Sequence, residues 1–555
     1  NKLSSVVASH WLFGELILHK SSLIKALILN IFVYVFQIFV SIFAMVVYNK
    51  VLPNHAISSL LTLIIGISVI LAFDIIFKIL KSRLLGEAVD KIDEELQRRL
   101  FAKILAWDLQ SKPKLSGASS TLLRDVESVS ELFANSSITT LVGIPFVFIN
   151  SFVIYLIAGP LALVTASVAL FAVCLSLYFY FRVMSISEAA KQSSIDKNSV
   201  YLEALNNLET LKSVANYSYF TDRFNSSDEV QRSFGKSLKY ILADANSLNA
   251  TLSAISQISL VSIGALLVIN GVVDPGALFG AVILNGKTLQ PVMQLAGLLQ
   301  KYSVAKVSYK KLGQTFDFES EEEKRRQNIS VSKLNGPIVL NNVMFQPPAL
   351  QTPIMSASNL KIKDGESIGI IGSVGSGKST LLKLLSGILA PTSGTICYGA
   401  YDTTAINQTD LRSKVAYLGQ SPGVFAGSIR DNLTIGNSSI DDDKIAASMK
   451  VTGFDEILKK FPNGLSYQLS ENGSELSGGQ KQILALTRSV LIEPDFIILD
   501  EPTSAMDPRH ENLFIRHMKG FIENRTFIVV THRKPILGLT NRLLVVENGK
   551  IVLDG

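Results

Sequence analysis

Between Gly372 and His532 the chain places, in order, the residue types that phosphate chemistry needs. Gly372, Ser373, Val374, Gly375, Ser376, Gly377, Lys378 and Ser379 follow a short apolar run at 367–371, and Thr380 opens a helical pattern reaching Leu389. A strand, a glycine-rich turn and a helix start are the setting of a phosphate-binding loop. The glycines let backbone N–H groups converge on the β- and γ-phosphates, and the helix N-terminus adds its positive end. Lys378 supplies a point charge, and the Ser379 hydroxyl suits Mg²⁺.

A second acidic element follows. Four apolar residues, 496–499, predict a buried strand that delivers Asp500 to its end, where it can hold the magnesium shell. Glu501 comes next, placed to polarise an attacking water as general base. Two adjacent carboxylates often only cap a helix; beside a phosphate loop they become a hydrolytic pair.

The elements that must position these groups fall in two textures. The chain has 555 residues, 48% of them hydrophobic, and a mean hydropathy of +0.33, high for a soluble protein. Six windows match the ~20 apolar residues that a helix needs to cross a bilayer core: 23–47, 60–80, 138–157, 161–181, 250–270 and 277–299. Asn285, Lys287 and Gln290 interrupt the sixth. Basic residues crowd the connections after window two (Lys81, Arg83, Lys91, Arg98, Arg99, Lys103) and after window four (Arg182, Lys191, Lys212, Arg223), whereas the short connections contain only Lys50. Lys and Arg stay cytoplasmic, so both long connections, the termini and the nucleotide half are expected in the cytosol. Those connections have helical spacing and predict membrane helices that run on into the cytosol, turning near Pro113 and Gly117 and near Asn216. From Ile338 onward, short β-rich runs alternate with helical segments, an α/β pattern with a largely parallel sheet.

Smaller features bound the function. Cys174 and Cys397 are too isolated for a disulfide framework or a metal site and are expected as buried thiols. A net charge of +6, with Lys and Arg beside the spans, needs only anionic lipid as a partner and makes no case for nucleic acid. Asp74 and Lys287 are ionisable groups within spans, Asp74 as a structural pair or a substrate contact and Lys287 toward a pathway. Lys78 and Arg182 are expected to snorkel to the interface.

Leu476, Ser477, Gly478, Gly479 and Gln480 spell LSGGQ, and with the elements above the chain resembles the ATP-binding cassette proteins. That resemblance implies ATP and Mg²⁺ as ligands and a homodimer, because Ser477, Gly478, Gly479 and Gln480 of one copy would close on the nucleotide held by the other. It further implies Gln420 as a magnesium-sensing glutamine, Glu471 as a residue touching a coupling helix, Asp507 in a loop crossing the dimer interface and His532 as a switch histidine. The aromatic ring expected two positions beyond Phe345 to stack on adenine is replaced by Pro347, leaving Phe345 or another ring to serve.

The segments VYNKVLPNHA (47–56), AGPLALV (158–164), ILNGKTLQPVMQLAGL (283–298) and DEPTSAMD (500–507) with THR at 531–533 are similar to type I secretion exporters of the branch that secretes large repeat-containing adhesins and toxins. This resemblance implies a six-span α-helical transmembrane domain fused to an α/β P-loop nucleotide-binding domain in the bacterial inner membrane. It implies an unfolded polypeptide as cargo, with a periplasmic adaptor and an outer-membrane channel as partners. A lipid, drug or peptide exporter of the same architecture, or a regulatory membrane ATPase, are the alternatives. The domains are expected as a cytosolic segment 1–22, with the upstream peptidase-like domain of many relatives absent or removed, a membrane domain 23–313, a linker 314–335 and a cassette domain 336–555 truncated at its end.

Overall fold

A computed structural model describes residues 10–110, 121–133, 135–214, 216–323, 329–348 and 350–555. The expected turn at Pro113 and Gly117 lies outside the described residues. The chain divides into two compact units, Asn1–Leu105 with Pro113–Phe318, and Ala106–Lys112 with Glu319–Gly555. The segment expected as a linker is thus shared, since the helix Pro275–Asp317 takes its start while Val331 and Leu334 are buried in the core of the second unit.

The first unit is helical. Its long helices are Lys20–Val46, Ile57–Leu105, Asn135–Ala158, Ala162–Asn206, Ser218–Ile269 and Pro275–Asp317, and each carries one of the six apolar windows. Among the described residues, four helical segments are long and apolar enough to cross a membrane: Lys20–Val51, Ile57–Leu105, Leu122–Asn206 and Ser218–Ile269. Windows three and four share the third segment, while Pro275–Asp317 does not qualify. Asn285, Thr288, Lys287, Gln290 and Gln294 dilute its apolar run. Elsewhere large apolar side chains face outward, among them Ile65, Leu71, Phe148 and Phe171. Exposure on that scale suits a hydrocarbon solvent.

Inside this unit several buried polar groups are tied together, while others, such as the Asn150 amide, have no partner. Lys78 Nζ lies 2.5 Å from Asp74 Oδ2, an ion pair one turn apart on the same helix. Lys81, one of the basic residues after window two, is 5% exposed and donates to Asn30 Oδ1 at 2.9 Å and Thr139 Oγ1 at 3.0 Å. Asn285 Oδ1 accepts from Thr165 and Ser256, joining three helices. Asp125 faces both Lys191 and Lys311, with Ser308 donating to the same carboxylate. Lys287 is exposed. The thiols depart from expectation: Cys174 is exposed on its helix and Cys397 is only half-buried.

The second unit is α/β. Its main sheet has six strands in the spatial order Val415–Leu418, Phe496–Asp500, Thr526–Val530, Ser367–Ile371, Arg542–Glu547 and Lys550–Asp554. The first five run parallel and the last antiparallel. The strands Phe496–Asp500 and Thr526–Val530 are buried throughout, as expected of parallel strands covered on both faces. A second, antiparallel sheet of Met355–Ile362, Ile338–Phe345, Ser393–Tyr398 and Tyr401–Asp402 adds to the parallel reading. Two apolar clusters fill the unit. One contains Ile368, Leu381, Leu385 and Ile498, the other Leu476, Ile483, Leu484 and Leu499. The stretch Ala106–Lys112 belongs here: Glu321 N donates to Ala106 O at 2.9 Å and Gln110 Nε2 to Ala390 O at 2.6 Å.

Candidate functional site

The register of the main sheet sets the site. Val530 pairs with Asp500 on one side and with Ile370 on the other, and Leu418 pairs with Leu499. Gln420, Glu501, Thr531 and Gly372 therefore leave four neighbouring strands at one carboxyl edge, where ligands of open parallel sheets bind.

At this edge the phosphate loop leads into the helix Lys378–Leu385. Gly377 caps that helix with φ 98°, a left-handed backbone that disfavours other residues. A Cβ on Gly372 would stand 2.0 Å from Val546 O, so only glycine fits there. Val374 is 97% exposed, which leaves its backbone alone to face a ligand. Lys378 Nζ donates to Gly372 O and Ser373 O, each at 2.8 Å, and is thereby held over the loop.

The same residues fit a nucleotide with magnesium. The Ser376 hydroxyl is buried in the loop without a hydrogen-bond partner. Asp500 is 3% exposed; burial raises its pKa above the ordinary carboxylate value, the Ser379 hydroxyl lowers it in part and the Glu501 charge raises it again. A buried carboxylate beside a hydroxyl is a donor set for a hard divalent cation, whose charge would favour the ionised form. Among the described residues no cluster of His, Cys, Asp or Glu forms an all-protein metal cage.

Glu501 sits at φ 49°, a left-handed conformation that costs on the order of 1 kcal/mol in a non-glycine residue. Its N–H donates to Val530 O at 2.8 Å, which fixes the turn off the strand. His532 Nε2 lies 3.8 Å from Glu501 Oε1, and the imidazole is half exposed. Gln420 is exposed just beyond Val415–Leu418. Asp500, Glu501, His532, Gln420 and the loop 372–380 thus share one edge.

The signature is built differently. Ser477 caps the helix Gly478–Leu491 in a reciprocal capping box with Gln480. A Cβ on Gly479 would meet Ala505 O at 2.5 Å, so the helix start lies directly against the loop that follows Glu501. Leu476 and the signature helix pack in one apolar cluster and the phosphate-loop helix in the other. Asp507 caps Pro508–Phe521 and is held below the usual carboxylate range by the His510 N–H. Glu471 is exposed in a short turn.

Phe345 is 6% exposed and packed in the first cluster, so little ring face remains for a base and its part as the adenine platform is withdrawn. Burial follows from its inward position at the end of Ile338–Phe345. Sequence reading also missed residues that hold the 501–507 loop. Gln482 bonds Glu501 and Ser504, Arg533 donates to Ser504 O and Glu511 Oε2, and Thr503 donates to Glu511 Oε1. No motif spacing flags them, because most of these partners are main-chain atoms or residues brought near by the fold.

Comparison with known proteins gives a consistent result. Residues 23–292 match the family model of the ABC transporter transmembrane region and residues 355–504 that of the ABC transporter. The Toxin RTX-I translocation ATP-binding protein of Actinobacillus pleuropneumoniae is 26% identical over 98% of this chain and 77% of its own length. The leukotoxin export ATP-binding protein LtxB of Aggregatibacter actinomycetemcomitans is 27% identical and the alpha-hemolysin translocation ATP-binding protein HlyB of Escherichia coli 26%, each over 98% of this chain and 77% of its own length. The solved structure of a bacterial Atm1-family ABC exporter with ATP bound shares the fold, with a TM-score of 0.81, 19% identity, and coverage of 97% of this chain and 95% of that one.

Proposed function

This chain belongs to the ATP-binding cassette transporters, and from that premise we propose that two copies hydrolyse ATP to export an unfolded polypeptide across the bacterial inner membrane. Six spans, cytosolic nucleotide units, a periplasmic adaptor and an outer-membrane channel complete this reading as a type I secretion exporter. The carrying observation is the likeness to toxin and hemolysin translocation proteins along 98% of the chain. An apolar helical unit and a phosphate-loop edge in one chain support it physically.

In the proposed chemistry, backbone N–H groups of the loop 372–380 and Lys378 bind and orient the phosphates. Ser379, Asp500 and Gln420 would hold magnesium, which offsets phosphate charge when bound. Glu501 takes a proton from the attacking water, and its fixed turn aims the carboxylate. His532 orients Glu501 and the terminal phosphate. Ser477, Gly478, Gly479 and Gln480 close on the nucleotide of the partner copy, so that ATP binds the closed pair more tightly than the open one and can do work.

Polypeptide cargo is separated from lipid or drug cargo by ATPase stimulation. A C-terminal peptide of a repeat-containing secreted protein should raise turnover of the purified full chain in lipid nanodiscs. Stimulation by lipids or small hydrophobic compounds, with none by the peptide, would replace the polypeptide reading by the second one.

A further inference from the structure

We infer that Gln482 is a positioning residue that reports the state of one ATP site to the general base of the other. The inference rests on the shared-site reading above, in which the signature of a copy serves its partner's nucleotide while its Glu501 serves its own.

Gln482 is the fifth residue of the signature helix Gly478–Leu491 and is 2% exposed. Its Nε2 donates to Glu501 O at 2.6 Å and to Ser504 Oγ at 3.2 Å. Its Oε1 accepts from Ala505 N at 3.1 Å. One buried amide therefore ties the signature helix to both ends of the turn that carries the base. Removing it would take one of two donors from the Glu501 carbonyl and the acceptor from the Ala505 N–H, so the sequence has reason to keep a glutamine here.

The contact is close on its other side as well. Gly479 stands against Ala505 O with no room for a Cβ, and a Cβ on Gly478 would lie 3.7 Å from that of Ala505, in ordinary contact. A shift of the helix start must move this loop. Glu501 itself holds φ 49°, so its carboxylate direction depends on what fixes its peptide groups. Those fixtures are Val530 O at the N–H and Gln482 at the carbonyl, with Ser504 N also donating to that carbonyl at 3.2 Å. The first belongs to the rigid sheet and the second to the helix that begins with Ser477. Engagement of Ser477 by the partner's nucleotide thus has a path to the local Glu501 through the signature helix and one side-chain hydrogen bond.

The test uses mixed dimers of the full-length chain in nanodiscs, isolated through two different tags. One copy carries Lys378→Ala and holds no ATP; the other is competent. With Gln482 present, hydrolysis per competent site should be lower in the mixed dimer than in the wild-type dimer by about fivefold or more, the usual scale of site-to-site coupling. Gln482→Met on the competent copies should bring that ratio to near one while binding of a fluorescent ATP analogue persists. Gln482→Glu keeps the acceptor for Ala505 N but loses the donors to Glu501 and Ser504, and should uncouple likewise. An unchanged ratio in both variants would make Gln482 merely structural and overturn the inference. The premise is checked separately by adding Ser477→Arg to the Lys378→Ala copy. Loss of the remaining hydrolysis upholds the shared site; survival removes that premise, and the inference with it.

Discussion

The two units use buried polar groups in opposite ways. In the nucleotide unit Asp500, Glu501, Lys378, Ser379 and His532 converge on one sheet edge, where the Ser376 hydroxyl has no partner and burial raises the Asp500 pKa. In the helical unit Lys81, Asn285 and Asp125 are spread over separate levels and bonded to side chains on neighbouring helices. Convergent groups at one edge await a ligand, whereas dispersed ones fasten helices, even where an atom such as Asn30 Nδ2 stays without a partner. The difference tells chemistry from architecture better than burial or charge does.

Glu501→Gln should break the first half of the contrast most strongly. Turnover is expected to fall on the order of a hundredfold or more with ATP binding retained, as measured by phosphate release and nucleotide binding on the same sample. Near-normal turnover would remove Glu501 from its role as base. In the helical unit Asp125→Ala leaves Lys191 and Lys311 facing each other without their carboxylate, and should cost about 3 kcal/mol of stability. Thermal unfolding would report it as a lower Tm, and nucleotide affinity should stay unchanged.

Gly479→Ala probes the seam between signature helix and catalytic loop. The added methyl meets Ala505 O at 2.5 Å and should cost about 1–2 kcal/mol, seen as slower hydrolysis at saturating ATP. The smallest effect concerns pH. Because burial raises the Asp500 pKa, protonation competes with magnesium as the pH falls toward that raised value, and ionisation above it restores the site. Buffer acidified toward that raised value should therefore require more magnesium for half-maximal ATPase than neutral buffer. An identical requirement at both would take Asp500 out of the metal's reach.

The sheet edge was legible in the sequence because strand-to-helix junctions fix residue types locally. Gly377 must turn left-handed, and apolar runs such as 496–499 are buried strands. Less was legible where the cause is distant. The strand Met355–Ile362 has an irregular pattern, MSASNLKI, and is recognised only by pairing with Ile338–Phe345. Gln482 reads as an ordinary polar residue on a helix until the fold brings Glu501 to it. Lys81 looked like one more cytosolic charge in a basic stretch, yet Asn30 and Thr139 lie far along the chain. Phe345 was a plausible adenine platform by position, and only the second sheet shows why it faces the core.

The central claim is that hydrolysis at this edge moves a polypeptide. It is tested most directly with inverted membrane vesicles containing the full chain, an unfolded polypeptide with a C-terminal secretion signal, and protease added afterwards. Protease-protected polypeptide should accumulate with ATP in wild-type vesicles and not in vesicles with Glu501→Gln. Equal accumulation in both, or vigorous ATP hydrolysis with no protected polypeptide, would contradict the account.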